Sequence, residues 1–295
     1  MIMIKKNEPL ANHCTYHIGG PARVLFLAAN EREIIAGIET AEENRFKMMI
    51  LGGGSNILFS DRGFDGLVLK LANNFIKIAE EKEDRAVVLA GAGTPLAALV
   101  KFALNNSLAG MEWAAGIPGT VGGAIRGNAG AFGREIGAAV LRVRALEISG
   151  KSVMPAIIGK EDCAFGYRES VFKRNKNLVI AAAKFVLEKG DADEIAAKIN
   201  DCAEKKRVAQ PLDFPSAGSV FVNPPGFFAA KIIEDCGLKG ISSGGAQISE
   251  KHANFIVNRG NAKASDVLEL IAQIKIAAKE KFAVDLKEEI EIVEA

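Results

Sequence analysis

GMEWAAGIPGTVGGAIRGNAGAFGREI, residues 110–136, is a stretch in which glycine and alanine dominate and the only charges are Glu112, Arg126, Arg134 and Glu135. Such a segment has little side chain to pack with. Glycine and alanine let backbone approach backbone or a ligand closely, and glycine reaches dihedrals barred to other residues. N–H groups that then point outward form a nest for an anion, and phosphate is the commonest biological anion that needs one. The stretch therefore reads as a diphosphate cradle. For such a loop taken alone, a set of tight turns between strands with no ligand is an equal reading.

A second glycine cluster shifts that balance. LGGGSNILFSDRGFDGLVLKL, residues 51–71, follows the apolar run Met48, Met49, Ile50, Leu51, which predicts a strand ended by a turn. Gly52, Gly53 and Gly54 supply bare backbone there, and Ser55 and Asn56 add a hydroxyl and an amide suited to phosphate or ribose oxygens. Two cradles suit a large ligand with two phosphates. Neither G-x-x-x-x-G-K-[ST] nor a full G-x-G-x-x-G after a strand occurs. In the nearest match, GAGTPL, Leu96 stands where a third glycine is required, and Thr94 with Pro95 predicts an N-cap and a first helical residue. That pattern argues against a Rossmann domain.

GGGSN, then IPGTVGGA, then NAGAFG resemble the FAD-binding domain of the UDP-N-acetylenolpyruvoylglucosamine reductase family, and the resemblance extends from about residue 7 to 293. It implies an α+β chain: a two-lobed FAD-binding domain of the vanillyl-alcohol-oxidase/PCMH type, followed by a smaller α+β substrate-binding domain. It implies non-covalent FAD held by Gly52, Gly53, Gly54, Ser55, Asn56, Gly116, Ile117, Pro118, Gly119, Gly122, Gly123, Asn128, Ala129 and Gly130. NADPH is the implied hydride-donating co-substrate, and the implied reaction reduces the enolpyruvyl ether of UDP-N-acetylglucosamine enolpyruvate to UDP-N-acetylmuramate for bacterial peptidoglycan. The length resembles the shorter form of the family, without the longer form's substrate-covering tyrosine loop.

A chain of 295 residues is long enough for two domains. Its formal charge of +1 provides no field for nucleic acid or an anionic membrane, so phosphate binding must be local. Small-molecule partners are expected, with the oligomeric state open and a monomer favoured. Cys14, Cys163, Cys202 and Cys236 lie far apart, with no C-x-x-C, which fits free thiols in a cytoplasmic protein. His13 and His17 are spaced i, i+4, but Pro9 and Gly19-Gly20-Pro21 argue against the helix that would align them, and no metal site is expected. The opening MIMIKKNEPL is too short for a signal sequence, and no run approaches a membrane span.

Along the chain, residues 7–22 read as an extended arm. Strand 23–28, helix 31–44 with Ile34, Ile35 and Ile38 inward, and strand 47–51 make a β-α-β start. Strands at LVLKL and AVVLAG and a helix over 94–107, with Leu96, Leu99, Val100 and Ala103 inward, complete a lobe over 23–110. AAVLRVRALEI and NLVIAAAKFVLEK predict strands in a second lobe, 111–188. The FAD-binding domain is thus expected at 1–188 and the substrate domain at 189–295, the latter opening on a helix capped by Asp191 and Glu194. Helix 229–237, strand NFIVN, helix DVLELIAQIKIAAKEKF and strand EIEIV follow.

Three stretches carry candidate chemistry. In CAFGYRESVFK, Arg168 sits in apolar surroundings and needs a partner, either a structural ion pair or a substrate carboxylate gripped by its planar fork. In PSAGSVFVNP, Ser219 follows Gly218 at the entry to a short apolar strand, where most serines are turn formers. There is no G-x-S-x-G elbow. In LKEEIEIV, alternation alone makes Glu289 a solvated residue. The family resemblance carries a catalytic arginine onto Arg168, a proton-donating serine onto Ser219 and a catalytic glutamate onto Glu289. It places Tyr167, Asn223 and His252 beside the UDP-sugar. Val222 stands where the family often has a lysine or arginine before NP, and Arg126-Gly127 replaces bulkier residues before NAG.

In the implied mechanism, hydride reaches the methylene carbon of the enolpyruvyl ether from reduced flavin. Arg168 and Glu289 stabilise the enediolate, Glu289 as a neutral acid or orienting partner, and Ser219 protonates the other carbon. Two rivals are an FAD-dependent alcohol or sugar oxidase and a non-catalytic nucleotide-sugar-binding protein. Many such oxidases tether flavin through His or Cys, and neither residue occurs in 51–71 or 110–136.

Overall fold

The computed structural model describes residues 3–150 and 152–294, so Met1 and Ile2 of the opening MIMI run lie outside the described residues. The chain divides into two compact units that are discontinuous in sequence.

The first unit holds Leu25–Gly53 and Gly66–Lys205, with the start of the strand Met3–Pro9. Its largest sheet is antiparallel. Ser152–Gly159 pairs with Val140–Ser149, which pairs with Leu178–Lys189, and that strand pairs with Arg85–Gly91 and, at its C-terminal end, with Leu108–Ala109. Ile76–Glu81 pairs with Arg85–Gly91 and forms the far edge. Leu178–Lys189 is central, and its run from Val179 to Ala183 is buried continuously. The two edge strands are mostly exposed, and one contains Pro155, a residue that an edge tolerates because it has no N–H to donate.

Helix Glu31–Glu43 is capped by Asn30, whose side chain accepts from Glu33 N at 3.0 Å, while the Glu33 carboxylate accepts from Ala29 N at 2.8 Å. Ile34 and Ile38 are buried and Ile35 is half-buried. Helix Leu96–Asn105 buries the expected Leu96, Leu99, Val100 and Ala103. Its start corrects the sequence reading. Pro95, not Thr94, is the N-cap, and no side chain caps it. The Thr94 hydroxyl is taken by a distant partner, accepting from Phe75 N at 3.2 Å and donating to Phe75 O at 3.1 Å, and Leu96 N donates to Gly119 O at 3.0 Å.

The second unit holds Lys6–Val24, Gly54–Asp65 and the chain from Lys206 onward. The arm folds as the end of Met3–Pro9 and one 3-10 turn, Leu10–His13, and buries Leu10, Tyr16 and Ile18. An antiparallel sheet runs Ser216–Ser219, Phe255–Asn258, Ala246–Ile248, Ser242–Ser243. Glu291–Val293 pairs in parallel with Ile57–Phe59. Helix Ala264–Phe282 buries Val267, Leu270, Ile271, Ile274 and Ala278, one stripe at helical spacing. It begins two residues before the expected start, because the Asp61 carboxylate accepts from Ala264 N at 2.7 Å and Ser265 N at 3.1 Å.

Candidate active site

Within the first unit the two glycine clusters meet backbone to backbone. A Cβ on Gly52 would lie 2.5 Å from the Thr120 hydroxyl, and one on Gly53 would lie 2.6 Å from Gly119 Cα. Neither position has room for a side chain. Gly116 and Gly119 have φ of 73° and 106°, which keeps the IPGT turn in glycine-only territory. Thr120 caps the short helix Val121–Arg126, accepting from Gly123 N at 3.4 Å. Gly122 N donates to Ala92 O at 2.8 Å, close enough that a Cβ there would meet Ala92 Cβ at 2.9 Å. The result is a close backbone-to-backbone contact of the two glycine loops that only glycine permits at positions 52, 53 and 122.

Asn128 is buried, with φ of 42°. Its amide nitrogen donates to Glu135 Oε2 at 2.7 Å and to Gly166 O at 2.9 Å, and its oxygen accepts from Gly137 N at 3.1 Å. The side chain is thereby spent on tying the glycine segment to the turn that follows Phe165, and its backbone N–H donates to Ile125 O at 3.1 Å. In that turn Gly166 and Glu169 exchange two backbone bonds of 3.0 Å around Tyr167 and Arg168. Arg168 has φ of 57°. Its guanidinium lies 5.1 Å from the Tyr167 ring centroid and donates to Gly130 O at 3.4 Å. Arg168 and Tyr167 are thus brought to the end of the glycine segment.

In the second unit Gly54 has φ of 65°, and its carbonyl accepts from Thr15 N at 3.0 Å. Asn56 donates through Nδ2 to Glu289 O at 2.9 Å, and its own carbonyl accepts from Glu291 N at 3.0 Å. Glu289 N donates to Val220 O at 2.7 Å. Glu289 is therefore clamped on both sides of its peptide, and one clamp is the residue next to Ser219. Ser219 itself pairs with Phe255 and follows Gly218, whose φ is 79°. The structure thus brings Ser219, Glu289 and Asn56 together in this unit, while Arg168 and Tyr167 belong to the other.

Asn223 is exposed, and its Oδ1 accepts from Ala229 N at 3.0 Å at the start of helix Ala229–Asp235. The His252 ring packs edge-on against Phe255 at 4.8 Å, and Nδ1 is buried without a hydrogen-bond partner among the described residues. Burial holds the imidazole below its usual pKa, so it is kept neutral. The strand Ser216–Ser219 ends at Ser219 instead of starting there as expected, and sequence reasoning missed Asn254, which donates to Phe221 O at 2.8 Å and accepts from Phe221 N at 3.0 Å, pinning the segment that follows. An amide within the apolar run NFIVN was its only signal. Thr120 was also missed, although a threonine three residues before Gly123 is a capping pattern.

Comparison with known proteins agrees with this geometry. A profile described as "FAD binding domain" matches residues 22–153, and one described as "UDP-N-acetylenolpyruvoylglucosamine reductase, C-terminal domain" matches residues 210–293. The chain is 42% identical over 287 residues to the UDP-N-acetylenolpyruvoylglucosamine reductase of Caldanaerobacter subterraneus subsp. tengcongensis, covering 97% of this chain and 92% of that one. It is 43% identical over 291 residues to the enzyme of the same name from Carboxydothermus hydrogenoformans, covering 98% and 94%. The crystal structure of the Thermus caldophilus reductase superposes with a TM-score of 0.83 at 30% identity, covering 100% of this chain and 99% of that one. A variant of Brevibacterium sterolicum cholesterol oxidase shares the flavin-domain fold alone, with a TM-score of 0.50 at 14% identity over 64% of this chain and 38% of that one. The fold class is the expected α+β arrangement of an FAD-binding domain followed by the reductase family's C-terminal domain. With matches of this extent and identity, the chain belongs to the UDP-N-acetylenolpyruvoylglucosamine reductase family.

Proposed function

We propose that the chain is an NADPH-dependent flavoenzyme that reduces the enolpyruvyl ether of UDP-N-acetylglucosamine enolpyruvate to UDP-N-acetylmuramate, a step of bacterial peptidoglycan synthesis. The observation that carries the reading is the backbone clamp that sets Glu289 against Val220, next to Ser219, in a chain that also bears the paired glycine loops. The FAD-binding portion lies within residues 1–188 and the substrate-binding portion within 189–295. The two profile matches fall on either side of that division and support it.

Bound FAD supplies hydride-transfer chemistry between NADPH and the methylene carbon of the enolpyruvyl group. Gly52, Gly53, Gly54, Ser55 and Asn56 and the segments 116–119, 122–123 and 128–130 would line the cofactor's site, the N–H groups of Gly122, Gly123, Asn128 and Ala129 being spent on holding that lining in shape. Arg168 grips the substrate carboxylate with its planar fork and stabilises the negative charge that builds there. Glu289 orients that developing charge by hydrogen bonding. The Ser219 hydroxyl gives its proton to the carbon that bears the carboxylate, which completes the addition of hydride and proton across the double bond. Tyr167, Asn223 and the neutral His252 contact the UDP-sugar. The four free thiols are in keeping with a cytoplasmic enzyme, which we take to act as a monomer. The test is NADPH oxidation by the FAD-loaded protein, which must depend on added enolpyruvyl UDP-sugar. Oxygen-driven turnover of an alcohol or sugar instead would support the oxidase reading.

A further inference from the structure

In the second unit, Phe221 and Glu288 face each other across an antiparallel bridge. Val222 N donates to Lys287 O at 3.0 Å on one side of it, and Glu289 N donates to Val220 O at 2.7 Å on the other. This register sets Val222 opposite Lys287 and Val220 opposite Glu289. Side chains alternate along extended backbone, so Lys287 and Glu289 leave on one side, about 7 Å apart along the chain. Glu288 leaves on the other, with its bridge partner, the buried Phe221, and its carboxylate meets Lys275 Nζ at 2.8 Å.

Lys287 is exposed and makes no ion pair or side-chain hydrogen bond among the described residues. Other lysines of this unit are committed to the protein: Lys275 to Glu288, Lys279 to Asp285 and Lys281 to the Asp235 carbonyl. With Glu288 directed away and already matched, and the half-buried Val222 as its cross-strand neighbour, Lys287 is a cation on the Glu289 side, beside the segment that leads to Asn223. The whole chain carries a formal charge of only +1, so an anionic substrate must find its countercharge locally.

We propose that Lys287 is a phosphate-binding residue of the substrate site, its ligand the diphosphate of a nucleoside-diphosphate sugar. This rests on the assignment of Ser219 and Glu289 to the reacting end of the same site. A lysine serves this role as a point charge, without the fork geometry of arginine. Because positions 222 and 287 lie directly opposite, a lysine at 222 can present the same charge from the neighbouring strand.

The test is calorimetric titration of the oxidised, FAD-loaded protein with UDP and with uridine, which lacks the phosphates. Lys287→Met is expected to weaken UDP binding about tenfold, the scale of one charge-assisted hydrogen bond, and to leave uridine binding unchanged. Adding Val222→Lys to that variant is expected to recover most of the UDP affinity, a rescue that a merely structural role for Lys287 does not allow. Native UDP affinity in Lys287→Met, or equal losses for UDP and uridine, overturns the assignment. If the wild-type protein oxidises NADPH with the enolpyruvyl substrate while Lys287→Met keeps native UDP affinity, only the Lys287 role fails. If the wild type does not turn over, the functional reading itself fails.

Discussion

Arg168 sits in the left-handed region of backbone space, which costs a residue with a Cβ about 1 to 2 kcal/mol. The two Gly166–Glu169 backbone bonds hold it there, and the neighbouring Asn128 amide fixes the turn by its bond to the Gly166 carbonyl. Strain held in place by several bonds supports the proposed role of Arg168 as a positioned group. Asn128→Ala leaves the buried Gly137 N–H without that partner and removes one of the two bonds to Gly166 C=O, and should cost about 2 kcal/mol in urea unfolding. A loss within experimental error contradicts the pinning role. His252 gives a pH signature. Burial lowers its folded-state pKa below the unfolded value of 6.5, so the stability that it contributes is present above that value and lost as pH falls through the folded one. His252→Gln should therefore lose less stability than wild type on going from pH 8 to pH 5, and equal losses count against a buried neutral imidazole. Arg168 was legible as a charge in an apolar stretch. Asn128 was named through the family resemblance as a cofactor residue, but its tie to Gly166, 38 residues on, was not legible, nor was Asn254, whose partner Phe221 lies 33 residues away.

Among the elements, those with a strong period were readable. The stripes of Leu96–Asn105 and Ala264–Phe282 are set by burial of one face, and the apolar run of Leu178–Lys189 by its central place in the sheet. The edge strands Ile76–Glu81 and Ser152–Gly159 were not predicted, since strands exposed to water carry charges and, in one case, a proline. Val121–Arg126 was hidden for a different reason. Two of its residues are glycine, a poor helix former, and the turn is maintained by Thr120 and by Ala92 from outside the segment. The contact of the two glycine loops yields a prediction at this scale. In Gly53→Ala the new methyl would stand 2.6 Å from Gly119 Cα, a backbone atom that must move. The displacement should weaken FAD binding at least about tenfold, read by flavin fluorescence quenching, while the far-ultraviolet circular dichroism stays native. Native FAD affinity in this variant contradicts the cradle.

At the scale of the whole chain, the ordered set of motifs from GGGSN to LKEEI made the family legible, because several short signatures in sequence order are far more specific than any one of them. The interleaving of the compact units was not legible, since Lys6–Val24 and Gly54–Asp65 join the C-terminal third through contacts distant in sequence. The division of labour between cofactor and side chains then sets the decisive measurement, anaerobic stopped flow at the flavin band with Ser219→Ala. The hydroxyl is assigned to protonation of the substrate carbon and to nothing earlier. NADPH should bleach the flavin of the variant at nearly the native rate, while reoxidation by the enolpyruvyl substrate slows by about two to four orders of magnitude. Slow reduction followed by native reoxidation would make Ser219 a positioning residue for NADPH or flavin, and would contradict the mechanism.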